Sequence, residues 1–310
     1  MRSGEGVFRI AKTTSGGSGT ATRSQEGRSW KTLYKAAALL IAIWALDALG
    51  NLFVHAVQLT PTSMAYDLVT AAAMAAFLAW LVPKVHLKLE SLAMMLWMLL
   101  FAVEYMINYI EALFFTTMFG GSYLSFVMAL VRAAVSSGVV AALAAFVLGG
   151  RRDFAGVWGS LDAYFSERTR RSWALRIAAA SLAYFPIYFF FGMIVSPFVL
   201  PYYSNPVDGL VIPQFGVMAP VELLRGFLYV LVLLPLIAVL RTGKNMSFAA
   251  LAAMLYIPGG FVALFGNSLL PPPIVPFHAA EILADSIVYG FALSRILQGR
   301  APAMGLPSGE

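Results

Sequence analysis

The sequence has no cysteine and few charged residues. The absence of cysteine excludes disulfides, thiolate metal ligands and a cysteine nucleophile. Charged residues make up 12% of the chain and hydrophobic residues 60%, whereas a soluble domain is roughly 45–50% apolar. The composition therefore excludes an ordinary soluble protein and indicates an integral membrane protein.

Long apolar runs occupy most of the chain. A helix needs about 20 apolar residues to cross a bilayer. A single chain segment inside lipid can satisfy its own backbone hydrogen bonds only as a helix. The runs that are long enough are 33–58, 64–83, 91–117, 122–149, 172–200, 216–241, 246–270 and 277–297. The sequence predicts an all-α, polytopic helical bundle in which residues 30–300 form about eight transmembrane helices.

The two ends of the chain are polar. Residues 1–29 are rich in Gly, Ser, Thr and Arg, and such a segment buries too little apolar surface to fold. We expect a disordered cytoplasmic tail there and a second disordered tail over 301–310. The apolar run after the first tail is too long for a signal peptide and lacks a small-residue cleavage pattern, so we expect it to remain as the first span.

Lysine and arginine predict the orientation of the bundle, because basic residues near span ends favour the cytoplasm. The N-terminal tail, every second loop and the end of the last span are basic. The alternate loops, near 59–63, 118–121, 201–215 and 271–276, contain no Lys or Arg. This pattern predicts both termini inside (N-in/C-in), with the plasma membrane as the expected location. It also assigns the net charge of +6 to membrane edges rather than to nucleic acid.

The longest basic loop contains apolar residues at helical spacing. They are Phe154, Val157, Trp158, Leu161, Tyr164 and Phe165. With Arg and Asp on the opposite face, the loop predicts an amphipathic helix over about 152–168. Either this helix lies on anionic headgroups at the cytoplasmic face, or it packs on the bundle as a loop helix.

Nine charged residues lie inside the predicted spans, where each costs about 2.5–3.5 kcal/mol at a helix centre. They are Asp47, Asp67, Glu104, Glu111, Glu222, Glu281, Asp285, Arg132 and Arg225. Seven of these residues are acidic and two are arginines. Ion pairing alone therefore cannot neutralise all the acids, and some of them must bind protons or a cation. Glu222 and Arg225 are three residues apart on one helix and are expected to pair.

Polar residues form one stripe on each of three spans, within about 60–80° of helical arc. The stripes are Asp47, Asn51 and His55 on the first span, Glu104, Asn108 and Glu111 on the third, and His278, Glu281 and Asp285 on the last. Most of these residues lie in the outer half of the bilayer. We predict that they line a polar cavity that opens outward and is closed below by Leu, Ala and Phe.

The residue types in this cavity suggest hydrolysis. Glu104 or Glu111 would act as general base, and Arg132 or Arg225 would stabilise an oxyanion. Carboxylates and imidazoles also suit a divalent metal ion such as zinc, iron or manganese, although no HxxxH or HExxH spacing is present. The predicted metal ligands are Asp47, His55, His278, Glu281 and Asp285.

The run from Ala219 to Gly226, Ala-Pro-Val-Glu-Leu-Leu-Arg-Gly, resembles the Glu-Glu-x-x-x-Arg-Gly signature of intramembrane CAAX-type glutamyl proteases. The resemblance covers this one helix. It departs from the family in having a single Glu, a Glu-to-Arg spacing one residue shorter, and no His on the next span. The family's residue roles are therefore not carried over.

Three functional classes remain open from the sequence. The first is a membrane-embedded hydrolase, with or without a metal, that acts on a lipid or a peptide. The second is a proton- or cation-coupled transporter, in which a seventh span interrupted at Pro258, Gly259 and Gly260 would act as a gate. The third is a receptor or structural membrane subunit without chemistry of its own.

Overall fold

The computed structural model describes residues 32–46, 61–149, 156–203, 209–240, 244–265 and 270–298. Of these residues 88% are helical, and no strand occurs among them. Seven of the described helices are long and apolar enough to cross a membrane. This confirms the all-α, polytopic helical bundle.

The helices follow the predicted spans closely. In chain order they are α1 Thr32–Leu46, α2 Pro61–Leu81, α3 Leu89–Phe115, α4 Tyr123–Leu148, α5 Val157–Phe165, α6 Arg170–Tyr203, α7 Phe215–Val239, α8 Lys244–Tyr256 continued through Ile257–Val262 to Ala263–Phe265, and α9 Val275–Ile296. The first span is described over α1 alone. The rest of it, with Asp47, Asn51 and His55, and both predicted tails lie outside the described residues.

Helix α7 runs through the centre of the bundle. It packs against α3, α5 and α6, while α9 packs against both α6 and α8. Small residues allow the closest of these contacts: a Cβ added at Gly226 of α7 would lie 2.4 Å from the Ser181 carbonyl oxygen of α6. A Cβ at Gly290 of α9 would lie 2.8 Å from the Ala252 amide nitrogen of α8. Small residues are typical of helix interfaces in membranes, because helices in lipid associate through close van der Waals packing and not through the hydrophobic effect.

One end of the bundle carries the basic residues. Here α5 is the described part of the amphipathic helix predicted over about 152–168. Its Tyr164 is buried and donates a hydrogen bond to the Leu297 carbonyl at the end of α9. Arg168 Nη2 donates to the Gln298 carbonyl at 3.2 Å. The helix thus packs on the bundle through one face, while Trp158 on the other face is 72% exposed.

The opposite end is held together by two loops that contain no Lys or Arg. Val211 N donates to the Phe115 carbonyl and Thr117 N donates to the Gly209 carbonyl, each at 2.8 Å. Gly209 has a φ of +67° and a Cβ there would lie 2.6 Å from Thr117 Oγ1, so this contact requires glycine. The structure therefore separates a basic end from a non-basic end, as the alternation of loops predicts.

Two helices contain a π-helical turn, and the two turns contact each other. They are Phe101–Met106 in α3 and Ile257–Val262 in α8. Asn108 Nδ2 of α3 donates to the Gly259 carbonyl of α8 at 2.8 Å. Over the described residues 244–265, the seventh span, which the sequence marks as interrupted, is thus a continuous helix with one widened turn. Such turns are frequent at functional sites.

Candidate functional site: an acidic, tyrosine-lined cavity

A cavity of about 380 Å³ lies between α3, α6, α7, α8 and α9, in the half of the bundle next to the non-basic end. Much of its wall is apolar and includes Phe115, Val195, Leu264 and Ile282. Met193 of α6 also lines it and is 64% exposed, so the cavity reaches the outer surface of the described bundle. Its charged lining residues are Glu111, Arg225, His278, Glu281 and Asp285.

Arg225 links three helices at this cavity. Its Nη2 lies 2.7 Å from Glu111 Oε2 of α3, and its Nη1 lies 2.7 Å from Glu222 Oε2 on its own helix. Tyr188 of α6 donates from its hydroxyl to Glu111 Oε1 at 3.3 Å. Its ring and that of Tyr184 lie 5.7 and 5.6 Å from Arg225 Cζ. The expected pairing of Glu222 with Arg225 is confirmed, and Glu222 is fully buried.

His278 is held by a carboxylate one turn further along α9. Its Nδ1 lies 2.9 Å from Glu281 Oε2, and its Nε2 lies 3.5 Å from the Tyr203 hydroxyl at the end of α6. A Cβ at Gly192 would lie 3.3 Å from Glu281 Oε1, so the glycine makes room for this carboxylate. The arrangement fits the tautomer in which Nδ1–H donates to Glu281 and leaves the Nε2 lone pair on the side of Tyr203.

Tyrosines close the cavity toward the basic end. The Tyr289 hydroxyl is within 3.2 Å of the carbonyls of Ala180 and Gly226. Its ring centroid lies 5.1 Å from that of Tyr184, which in turn lies 5.2 Å from that of Tyr229. The floor is therefore formed by aromatic rings, where the sequence predicts Leu, Ala and Phe. The apolar core begins below these rings.

Asp285 follows Glu281 by one turn of α9 and also lines the cavity. The residue is only 8% exposed. Its Oδ1 is buried and has no hydrogen-bond partner among the described residues. A buried carboxylate oxygen without a partner is costly, so Asp285 is the strongest sign that this cavity accommodates another group.

Two of the three predicted stripes meet here. Glu111 from the third span and His278, Glu281 and Asp285 from the last span line one cavity. Glu104 is buried in the π-helical turn of α3 but does not line it.

Arg132 is also separate from the cavity. It lies on an exposed face of α4, where its Nε donates to the Met128 carbonyl of the same helix at 3.3 Å. The catalytic roles predicted for Glu104 and Arg132 therefore remain predictions without a place in this site.

The predicted metal site cannot be completed from the residues that the structure describes. Among them, no group of three His, Asp or Glu side chains is arranged to hold a metal ion. Asp47 and His55, two of the five predicted ligands, lie outside these residues. A metal at His278, Glu281 and Asp285 therefore remains a prediction that depends on the first span.

Sequence reasoning missed the tyrosines of the cavity. They are Tyr184, Tyr188, Tyr203, Tyr229 and Tyr289. A signal was available: Tyr184 and Tyr188 are four residues apart on one face of α6, and a phenol inside an apolar span needs a hydrogen-bond partner.

No protein-family model matches the chain, and no curated protein or solved structure matches it. The fold and the cavity therefore define the class of protein on their own evidence. The chain is a polytopic integral membrane protein with an acidic, tyrosine-lined cavity in one half of its helical bundle.

Proposed function

We propose that the protein is a membrane-embedded hydrolase that cleaves an ester or amide bond of an amphipathic substrate. The observation that carries the proposal is the pair formed by His278 and Glu281 inside the cavity, with Nδ1 and Oε2 at 2.9 Å. A histidine oriented by a carboxylate is the usual general base for activating water or a hydroxyl group.

The proposed reaction starts with a water molecule near His278 Nε2. The imidazole removes a proton from this water as the oxygen attacks the substrate carbonyl, and it later returns the proton to the leaving group. Glu281 stabilises the imidazolium that forms between these steps. The Tyr203 hydroxyl, 3.5 Å from Nε2, is the candidate donor to the oxyanion.

Arg225 takes a different role from the one predicted from sequence. Its two Nη atoms are already engaged by Glu111 and Glu222, and these carboxylates offset its charge. Its Nε is buried and has no hydrogen-bond partner among the described residues. We propose that Arg225 positions Glu111 and the cavity wall and does not itself stabilise the oxyanion. With the basic end in the cytoplasm, the substrate would enter from the outer leaflet of the plasma membrane.

Replacing His278 by glutamine should reduce hydrolysis at least about 100-fold, because general-base catalysis contributes about 10²–10⁴ in rate. The assay uses purified full-length protein in a neutral detergent with fluorogenic esters and amides of short, medium and long acyl chains. Glu281→Gln should give a smaller loss, since the imidazole is retained but loses its orienting carboxylate.

His86→Gln is the matched control, because His86 is an exposed loop residue at the basic end. It should retain the wild-type rate. If wild type hydrolyses every substrate in the panel no faster than His278→Gln does, the proposed reaction is wrong. Equal losses in His86→Gln and His278→Gln would also contradict a role specific to the cavity.

A second candidate function is proton- or cation-coupled transport. Two observations favour it. Carboxylates outnumber cations among the described residues of the cavity, and π-helical turns of α3 and α8 contact each other, a feature that is frequent at functional sites. For transport, wild-type protein in liposomes should acidify or alkalinise the lumen when a gradient of solute is imposed. Asp285→Asn should abolish this signal. A proton flux equal to that of empty liposomes would count against this candidate.

A further inference from the structure

Hydrolysis as proposed leaves Asp285 without a task. Its carboxylate is almost fully buried, lines the cavity and has an Oδ1 without a partner among the described residues. It lies one helical turn from Glu281, whose own Oε2 is engaged by His278. A bound group that carries donors or positive charge would satisfy Asp285 in a way that no described side chain does.

The charges around the cavity point to a cation. Among the residues that the structure describes, the carboxylates at the cavity are Glu111, Glu222, Glu281 and Asp285, and the permanent cation paired with the first two is Arg225. If all four carboxylates are ionised, four negative charges less one positive charge leave three, or two when His278 is protonated. Such an excess in a site of low dielectric is stabilised by a positively charged ligand.

The aromatic residues indicate an organic cation. Four tyrosines, Tyr184, Tyr188, Tyr229 and Tyr289, line the same cavity as Asp285. Two of these rings already form cation–π contacts in this cavity, because Arg225 Cζ lies within 5.7 Å of the ring centroids of Tyr184 and Tyr188. Aromatic rings together with carboxylates are the usual surroundings of a bound ammonium group.

The rest of the wall suits an alkyl chain. Val195, Val199 and Leu264 are apolar lining residues of the cavity. The exposed Met193 marks the place where the cavity reaches the bundle surface. An amphiphile can thus place its head beside Asp285 while its chain lies against these residues and continues toward the lipid.

We infer that the cavity binds the ammonium head of a cationic amphiphile, such as a long-chain amine, with Asp285 as its main counter-ion and the tyrosines around it. This deepens the proposed function and rests on it only for the statement that the bound amphiphile is the substrate. The binding itself requires no hydrolysis.

The test compares three ligands of equal chain length: octylamine, octanol and octanoate. Full-length protein in a neutral detergent is titrated with each ligand, and binding is measured by calorimetry and by the shift in thermal unfolding. Octylamine should bind at least about tenfold more tightly than octanol, and octanoate more weakly than both. Asp285→Asn should remove the preference for the amine.

Asp162→Asn is the matched control, because Asp162 lies on the exposed face of α5 at the basic end. It should retain the preference. Glu281→Gln provides a second variant that should weaken amine binding if Asp285→Asn fails to fold. Equal binding of octylamine and octanol to wild type would overturn the inference, and so would an undiminished preference in Asp285→Asn. Stabilisation by sodium chloride equal to that by octylamine would also overturn it, since the site would then take an inorganic cation.

The hydrolysis assay on the same preparation separates the two proposals. Cleavage of uncharged esters without any preference for the amine refutes the cationic ligand and leaves the hydrolase standing. Amine binding that depends on Asp285, without cleavage of any ester or amide, refutes the hydrolase and leaves the binding site standing.

Discussion

Replacing Arg225 by methionine is expected to destabilise the protein by about 3–5 kcal/mol, because it leaves the buried Glu222 and the partly buried Glu111 without their counter-ion. Glu222 is fully buried, and Glu111 is held by the same guanidinium. Methionine keeps most of the apolar stem of the side chain and removes the guanidinium, so the loss of charge dominates. The measurement is thermal unfolding of the purified protein in detergent, with the fraction of protein that remains monodisperse after heating as the readout.

A rescue variant separates charge from packing at this position. Adding Glu111→Gln and Glu222→Gln to Arg225→Met removes the uncompensated charges and should recover part of the lost stability. Arg295→Met is the control for the loss of an arginine, because Arg295 is exposed at the basic end of α9. A single Arg225→Met variant as stable as Arg295→Met would refute the view that Arg225 neutralises buried charge.

Replacing Gly226 by alanine should disrupt the contact between α6 and α7. The new Cβ would lie 2.4 Å from the Ser181 carbonyl oxygen and 2.8 Å from Tyr184 Cβ, so the two helices must move apart. Overpacking typically costs about 1–3 kcal/mol, and a backbone clash is at the upper end because no side chain can rotate away. This outweighs the roughly 0.5–1 kcal/mol that alanine gains over glycine in a helix.

Gly216→Ala is the matched control on the same helix, since a Cβ there meets nothing within 4 Å. It should be neutral or slightly stabilising in the same thermal-unfolding measurement. The Gly226 carbonyl also accepts the Tyr289 hydroxyl, so Gly226→Ala should alter the cavity floor and reduce ligand binding. Equal stability of the two alanine variants would show that the close approach of α6 and α7 is not required.

The transmembrane helices were the most predictable part of the fold. Hydropathy is a local property, and each predicted span from the second onward matches a described helix to within a few residues. The widened turn at Ile257–Val262 was less predictable. Proline and glycine mark a departure from regular α-helix. Whether the helix breaks, kinks or widens depends on which neighbouring group bonds the freed backbone carbonyl, and here Asn108 of α3 donates to the Gly259 carbonyl.

The site was predictable only in part. Helical phase placed Glu111 on one stripe and His278, Glu281 and Asp285 on another, and both stripes face the same cavity. The same reasoning grouped Glu104 with Glu111, although Glu104 does not line the cavity. Counting residues at 100° each predicts the side of a helix to which a side chain points only if the helix is regular. The π-helical turn that contains Glu104 changes the angle between Glu104 and Glu111 from the angle that a regular helix would give.

The sequence by itself determined the membrane class, the positions of the helices and the separation of basic from non-basic loops. Each of these follows from the transfer of individual segments between water and lipid, which depends on local composition. Only the tertiary structure decided that Arg225 pairs with Glu111, that Tyr203 approaches His278, and that tyrosines form the cavity floor. Such contacts join helices far apart in the chain, and they depend on how closely glycines such as Gly226 let those helices pack.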